Sequence, residues 1–127
     1  MIDLILVSHG ALAAGLREAA EMILGEQENL TVLGLIPGDS LTSFIDKVEQ
    51  AVDSCSDPKN VLILSDMPNG TPHNAAMVMA LKKHTACISG CNLPVLLDVL
   101  TLRDEYTIPE TIDMACGTGK ESIINSL

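Results

Sequence analysis

The sequence predicts an α/β fold: a doubly wound, mainly parallel four-stranded sheet with helices on both faces. Three observations predict it. Short apolar runs rich in β-branched residues, without polar alternation, mark strands covered on both sides. Each run is followed by a segment whose apolar residues recur at helical spacing. The connections are short, so successive strands are joined by right-handed crossovers into a parallel sheet. An antiparallel edge strand near the C-terminus is an open alternative for the last residues.

Ile2 to Val7 reads as the first strand. From Leu12 the pattern turns helical, with Leu12, Leu16, Ala19, Ala20, Ile23 and Leu24 on one face and Gly25 as the stop. Leu30 to Ile36 is the second strand. Pro37-Gly38-Asp39-Ser40 then turns the chain and offers Ser40 as an N-cap. Leu41, Phe44, Ile45, Val48 and Val52 trace a helical stripe that Cys55-Ser56-Asp57-Pro58 ends. Val61 to Leu64 is a third buried strand leading into a loop at Asp66. Thr71 before Pro72 marks a helix start, with the hydroxyl as cap and proline in the first turn, and Asn74 to His84 continues that helix. Ala86 to Cys91 is the fourth strand, and Pro94 opens a helix through about Leu102. Pro109 starts a last helical segment that Gly117 and Gly119 interrupt. Ser122 to Leu127 suits a helix or an edge strand equally.

The chain of 127 residues is expected to form one domain over residues 1–127, since a second core has little room at roughly 150 residues per domain. Hydrophobic residues make up 47%, but only Phe44 and Tyr106 are aromatic, which leaves a core of Leu, Ile, Val, Ala and Met. A formal charge of −10 with no local cluster of Lys or Arg argues against nucleic acid and anionic membrane surfaces as partners. No apolar stretch reaches the roughly 18 residues of a membrane span. The start Met1-Ile2-Asp3 lacks the basic residues of a signal peptide, so a cytoplasmic location is expected. Cys55, Cys87, Cys91 and Cys116 form no Cys-x-x-Cys pair and read as buried free thiols; no metal and no cofactor are expected.

The residues that carry chemistry stand at two strand ends. Val7-Ser8-His9-Gly10-Ala11 places His9 at the first strand-to-helix turn, and Leu64-Ser65-Asp66 places an acid at the third. In an open α/β sheet such turns form the ligand crevice. A neutral imidazole attacks phosphorus well, and the phosphohistidine it forms stays reactive because the ring nitrogen leaves readily. A carboxylate on the opposite ring nitrogen fixes the tautomer and stabilises the positive ring formed on transfer. The backbone amides at Gly10-Ala11 and Gly70-Thr71, at two helix starts, are candidates to hold phosphoryl oxygens without cationic side chains. His73 reads as an exposed histidine at a helix start and His84 as a structural residue near a helix end. Met77 and Met79 lie too close in sequence to share a helix face, so at least one is expected at a subunit or partner surface.

Several stretches together resemble the IIA component of the mannose-family sugar phosphotransferase system. They are Val7-Ser8-His9-Gly10, Ile23-Leu24-Gly25-Glu26, Pro37-Gly38, Asp66 through Asn74 with Gly70-Thr71-Pro72, Asn74-Ala75-Ala76, and Gly90-Cys91-Asn92-Leu93-Pro94. The resemblance runs in order along nearly the whole chain. It implies a homodimeric cytoplasmic phosphoryl carrier that accepts phosphate from the histidine phosphocarrier protein and passes it to the IIB component, which serves the membrane IIC and IID components. By position it implies His9 as the phosphorylated residue, Asp66 as its orienting partner, and Gly70 and Thr71 beside the phosphoryl group. Two departures stand out. Met67-Pro68-Asn69 replaces the aromatic residue and second glycine common in the family loop, and the chain has little tail beyond its last helix for the strand exchange that family dimers show.

Other readings compete. Small tetrapyrrole metal chelatases also place histidine-glycine after the first strand, but need a second histidine across a large cleft; His73 and His84 are the only candidates. Histidine phosphatases put an arginine before that histidine, where Ser8 stands here, and Arg17 and Arg103 are the only arginines. A non-catalytic regulatory module in which His9 only signals is the third alternative.

Overall fold

Residues 1–127 are described by a computed structural model. Ten elements follow one another: β1 (Asp3–His9), α1 (Leu12–Leu24), β2 (Leu30–Leu35), α2 (Leu41–Asp53), a 3₁₀ turn (Pro58–Asn60), β3 (Val61–Ser65), α3 (Thr71–Lys83), β4 (Ala86–Ile88), α4 (Leu93–Leu102) and α5 (Ile108–Glu121). The four strands form one sheet in the order β2-β1-β3-β4, and every pair is parallel. The doubly wound α/β fold expected from the sequence is present. The chain moves from β1 outward to β2, crosses back to β3 and continues outward to β4. The topological switch therefore lies between β1 and β3, where crossovers leave in opposite directions and a crevice opens at the carboxyl ends.

Both central strands are buried on both faces, which is why they read as unbroken apolar runs. Leu4 and Leu6 of β1, with Leu62 and Leu64 of β3, join Ala13 and Ala20 of α1, Leu96 and Val99 of α4 and Ala115 of α5 in one core cluster. Ile5 and Val7, with Val61 and Ile63, face the other way into Phe44, Val48 and Val52 of α2 and Ala75, Ala76 and Met79 of α3. Alternation along each strand thus assigns three helices to one face and two to the other. Met79 is fully buried and Met77 is 48% exposed, as their spacing requires. The four cysteines are free thiols, but only Cys91 is buried, its pKa pushed up to about 12 by desolvation; the other three are half-buried.

Helix starts follow their capping chemistry in most places. Ser40 and Ser43 form a reciprocal capping box on α2, Asn92 caps α4, and Thr107 with Glu110 caps α5. Two expectations fail near the C-terminus. Helix α5 runs to Glu121 straight through Gly117 and Gly119, and Ser122–Leu127 forms no strand. The glycine at 119 serves packing instead of breaking the helix: a Cβ there would stand 2.8 Å from Cγ2 of Val95 on α4, so its absence lets α5 settle against α4. At the amino edge of the sheet, the buried Arg103 guanidinium donates to the carbonyls of Ile2, Glu28 and Asn29 and to the Gln27 side chain, closing the start of β1 against the α1–β2 turn.

The carboxyl ends of β1 and β2 are locked more tightly. Gly10 adopts a left-handed φ of 53° and its N–H donates to the Leu35 carbonyl at 2.8 Å. Its own carbonyl lies against Cα of Gly34, where any Cβ would collide with it. Backbone cannot yield as a flexible side chain does. Gly34→Ala should therefore lower the unfolding free energy by about 2–4 kcal/mol in denaturant titration, far beyond the effect of an ordinary strand Gly→Ala change.

Candidate functional site

His9 is the last residue of β1, in register with Leu35 of β2, and Asp66 directly follows β3. Because β1 and β3 are neighbours, the two side chains meet at the switch point. One carboxylate oxygen of Asp66, Oδ2, accepts the His9 backbone N–H at 2.9 Å and lies 2.8 Å from ring Nδ1. The other, Oδ1, accepts the Met67 N–H at 3.0 Å, and the Asp66 N–H donates to the Val7 carbonyl at 3.2 Å. The carboxylate is thus held on both oxygens before any partner arrives.

The protonation pattern follows. Burial pushes the Asp66 pKa up, but the His9 backbone N–H, the His9 ring and the Met67 N–H together outweigh it, so the group sits below the ordinary aspartate range. An ionised carboxylate only accepts, so Nδ1 carries the ring proton and donates it. The lone pair of the neutral ring is then on Nε2. The Asp66 side chain is 8% exposed and that of His9 48% exposed, so the acid stands behind an imidazole that faces solvent.

Two helix starts flank the ring and differ in what they leave free. At α1 the buried Ser8 hydroxyl accepts the Ala13 N–H at 2.8 Å, a cap supplied from β1. The Gly10 amide, expected to be available for phosphoryl oxygens, is already bonded to Leu35 in the turn that ends β1. At α3 the cap position is Gly70, not Thr71. Thr71 is the first helical residue, its hydroxyl caps nothing, and no side chain accepts from the first-turn amides. Gly70 lies against the imidazole: a Cβ on it would be 2.8 Å from His9 Cε1 and 3.3 Å from Nε2. The start of α3, with no side-chain cap on the Thr71 N–H, thus lies directly against the free ring nitrogen. The loop reaching it, Met67-Pro68-Asn69, places Asn69 at a left-handed φ of 65°, a conformation asparagine tolerates where glycine is the usual choice.

His73, expected to be exposed, is half-buried, with Nδ1 2.7 Å from the Ser65 hydroxyl. A serine at a fully buried strand end was the available sequence signal for that partner. His84 closes α3 in a left-handed conformation with φ 62°. No pocket of the structure is lined by a histidine, so none pairs His9 with a second histidine as a tetrapyrrole chelatase needs. An open hollow of about 440 Å³ lies at the opposite edge of the sheet, lined by residues including Asp3, Asn29 and Cys55 and by no histidine. His9 instead stands on an open surface with exposed Leu12, Ile36, Leu41 and Met67 at the same sheet edge. No helix is long and apolar enough to cross a membrane.

Comparison with known proteins identifies the family. The family described as PTS system fructose IIA component matches residues 3–116. The PTS system mannose-specific EIIAB component of Escherichia coli K12 is 35% identical over 124 residues, covering 96% of this chain and 38% of that protein. The chain thus spans well under half the length of that relative. The PTS system fructose-specific EIIA component of Bacillus subtilis is 33% identical over 114 residues, covering 89% of this chain and 78% of that protein. Among solved structures, the phosphotransferase system component EIIA from Streptococcus agalactiae superposes with a TM-score of 0.90 at 26% identity, covering 98% of this chain and 97% of that one. A family match across most of the chain, together with relatives carrying mannose, fructose and sorbose names, shows that this protein belongs to the mannose-family IIA components of the sugar phosphotransferase system.

Proposed function

We propose that the protein is a transient phosphoryl carrier, a single IIA domain that receives phosphate on His9 from the histidine phosphocarrier protein and hands it to a IIB component in the cytoplasm. The observation that carries this reading is the His9–Asp66 pair: a carboxylate holds Nδ1 and leaves Nε2, with its lone pair, on an exposed surface. The open setting suits a donor that is itself a protein, and the apolar residues around the edge offer it contact area. The net charge of −10 attracts partners with basic surfaces. The EIIAB name of the Escherichia coli relative supports IIB as acceptor, with membrane IIC and IID components served indirectly. A homodimer is also part of this reading, supported by Ile123, Ile124 and Leu127, which lie exposed beyond α5, with Ile123 lining one hollow with Ile88 of the short edge strand β4.

In the first step the Nε2 lone pair forms a bond to phosphorus while the N–P bond of the donor phosphohistidine breaks and its electrons return to the donor ring. The His9 ring becomes cationic, with its Nδ1 proton still donated to Asp66, whose negative charge stabilises it. The uncapped amides and the hydroxyl at Gly70-Thr71 take the phosphoryl oxygens at the positive end of α3. The second step repeats this chemistry with the IIB nucleophile attacking, and His9 departs as the neutral ring. Gly10 contributes by shaping the turn, since its amide is occupied.

Incubation with phosphoenolpyruvate and the general phosphotransferase proteins should give an acid-labile, base-stable phosphate, absent in His9→Ala and formed more slowly in Asp66→Ala. A wild-type protein that stays unlabelled while the upstream carriers are labelled would exclude the carrier reading. Gly70→Ala pushes a methyl group into the imidazole edge and should slow labelling by at least about tenfold while leaving the fold intact. Asp66 also links the site to stability. Its folded pKa lies below the unfolded value of about 4, so its contribution is complete above that value and is lost as pH falls through the folded one. Wild type should be more stable than Asp66→Asn near neutrality, and the gap should close on acidification; a gap independent of pH would show that the ionised form is not the stabilising one.

A further inference from the structure

The mannose-family reading leaves one polar pair behind the site without a task. Ser65, fully buried, is the last residue of β3 and directly precedes Asp66. Its hydroxyl lies 2.7 Å from Nδ1 of His73, the third residue of α3, and 3.4 Å from the Ile88 carbonyl at the end of β4. Its carbonyl accepts the Cys91 N–H at 2.9 Å. One residue thus ties together the end of β3, the end of β4, the turn into α4 and the first turn of α3.

That turn is the one that touches His9. Gly70 sits against Cε1 and Nε2 without room for a methyl group, and no side chain caps the helix to hold its start. The far end of α3 is tethered to α2 by Lys82 and Lys83 pairing with Glu49, and by Lys83 with Asp53. At the near end the one side-chain hydrogen bond to the body of the sheet is His73 to Ser65. We propose that His73 is a positioning residue for phosphoryl transfer: through Ser65 it fixes the start of α3, and with it the Gly70-Thr71 amides, relative to Nε2 of His9. His73 does not touch the phosphoryl group. Its effect passes through helix placement, where a shift of a fraction of an ångström changes how donors meet the transferring oxygens.

The proposal rests on the carrier reading, and the test separates the two. Transfer from the histidine phosphocarrier protein is measured over a range of carrier concentrations for wild type, His73→Phe, Ser65→Ala, the double variant and His73→Asn. Melting curves and amide spectra accompany each. Phenylalanine keeps the ring volume and loses the bond, whereas asparagine places an amide group near the position of Nδ1 and keeps it. Ser65→Ala removes the partner with the smallest change in shape, so it decides the matter where His73→Phe melts. The expected result is a loss of about tenfold in kcat with KM little changed for either single variant, and no further loss in the double variant because both act through one bond. The Gly70 and Thr71 amide resonances should move, and His73→Asn should restore both rate and resonances. Wild-type kcat in the folded single variants, a loss confined to KM, or additive losses in the double variant would each overturn the proposal. Were wild type to take no phosphate at all, the carrier reading would fall, and unmoved Gly70 and Thr71 resonances would separately overturn the positional claim.

Discussion

Everything at the site depends on Asp66 Oδ2 accepting two N–H groups from one residue, the backbone and the ring of His9. A single oxygen can serve both only if the residue after β3 stands beside the last residue of β1, which the strand order β2-β1-β3-β4 guarantees. The backbone bond sets the height of the carboxylate at the sheet edge, and the ring bond then fixes the plane and tautomer of the imidazole. The Met67 N–H on Oδ1 completes the arrangement and helps keep the carboxylate ionised. Geometry and protonation state are therefore products of the same hydrogen bonds.

In the proposed carrier, the backbone around this pair takes the place that cationic side chains hold in other phosphoryl-transfer sites. Neither arginine belongs to the site: Arg103 closes the opposite edge of the sheet and Arg17 pairs with Glu21 along α1. The donors at hand are uncapped amides at the start of α3, brought close by a glycine that leaves no room for a side chain. Weak, neutral donors suit the proposed carrier role, in which a phosphoryl group is held long enough to find its acceptor and is then released. The lock between Gly10, Leu35 and Gly34 serves the same end from the other side, since it fixes the turn that follows His9.

Much of this was legible in the sequence because it rests on local chemistry. The continuous apolar runs of β1 and β3, the Ser40 cap and the stop at Gly25 are short-range signals, and the structure follows them. So does the placement of His9 and Asp66 at one edge, since parallel strands must end together. What failed needed knowledge of tertiary contacts. Gly117 and Gly119 read as helix breakers because propensity does not see Val95 on α4, against which α5 packs. Thr71 read as a cap because Gly70 gives no sign in the sequence of pressing on an imidazole. The Gly10 amide read as free because its acceptor, Leu35, is distant in sequence. His73 read as exposed because its partner Ser65 lies on the strand before it, and only packing brings α3 down onto that strand end.

With Asp66 holding Nδ1, phosphorus should be bonded at Nε2, and ring-nitrogen NMR of the phosphorylated protein tests this. Long-range proton–nitrogen correlations on the His9 ring should show phosphorus coupled to Nε2, with a proton retained on Nδ1. A phosphate on Nδ1 would require the Asp66 hydrogen bond to be broken and would contradict the account.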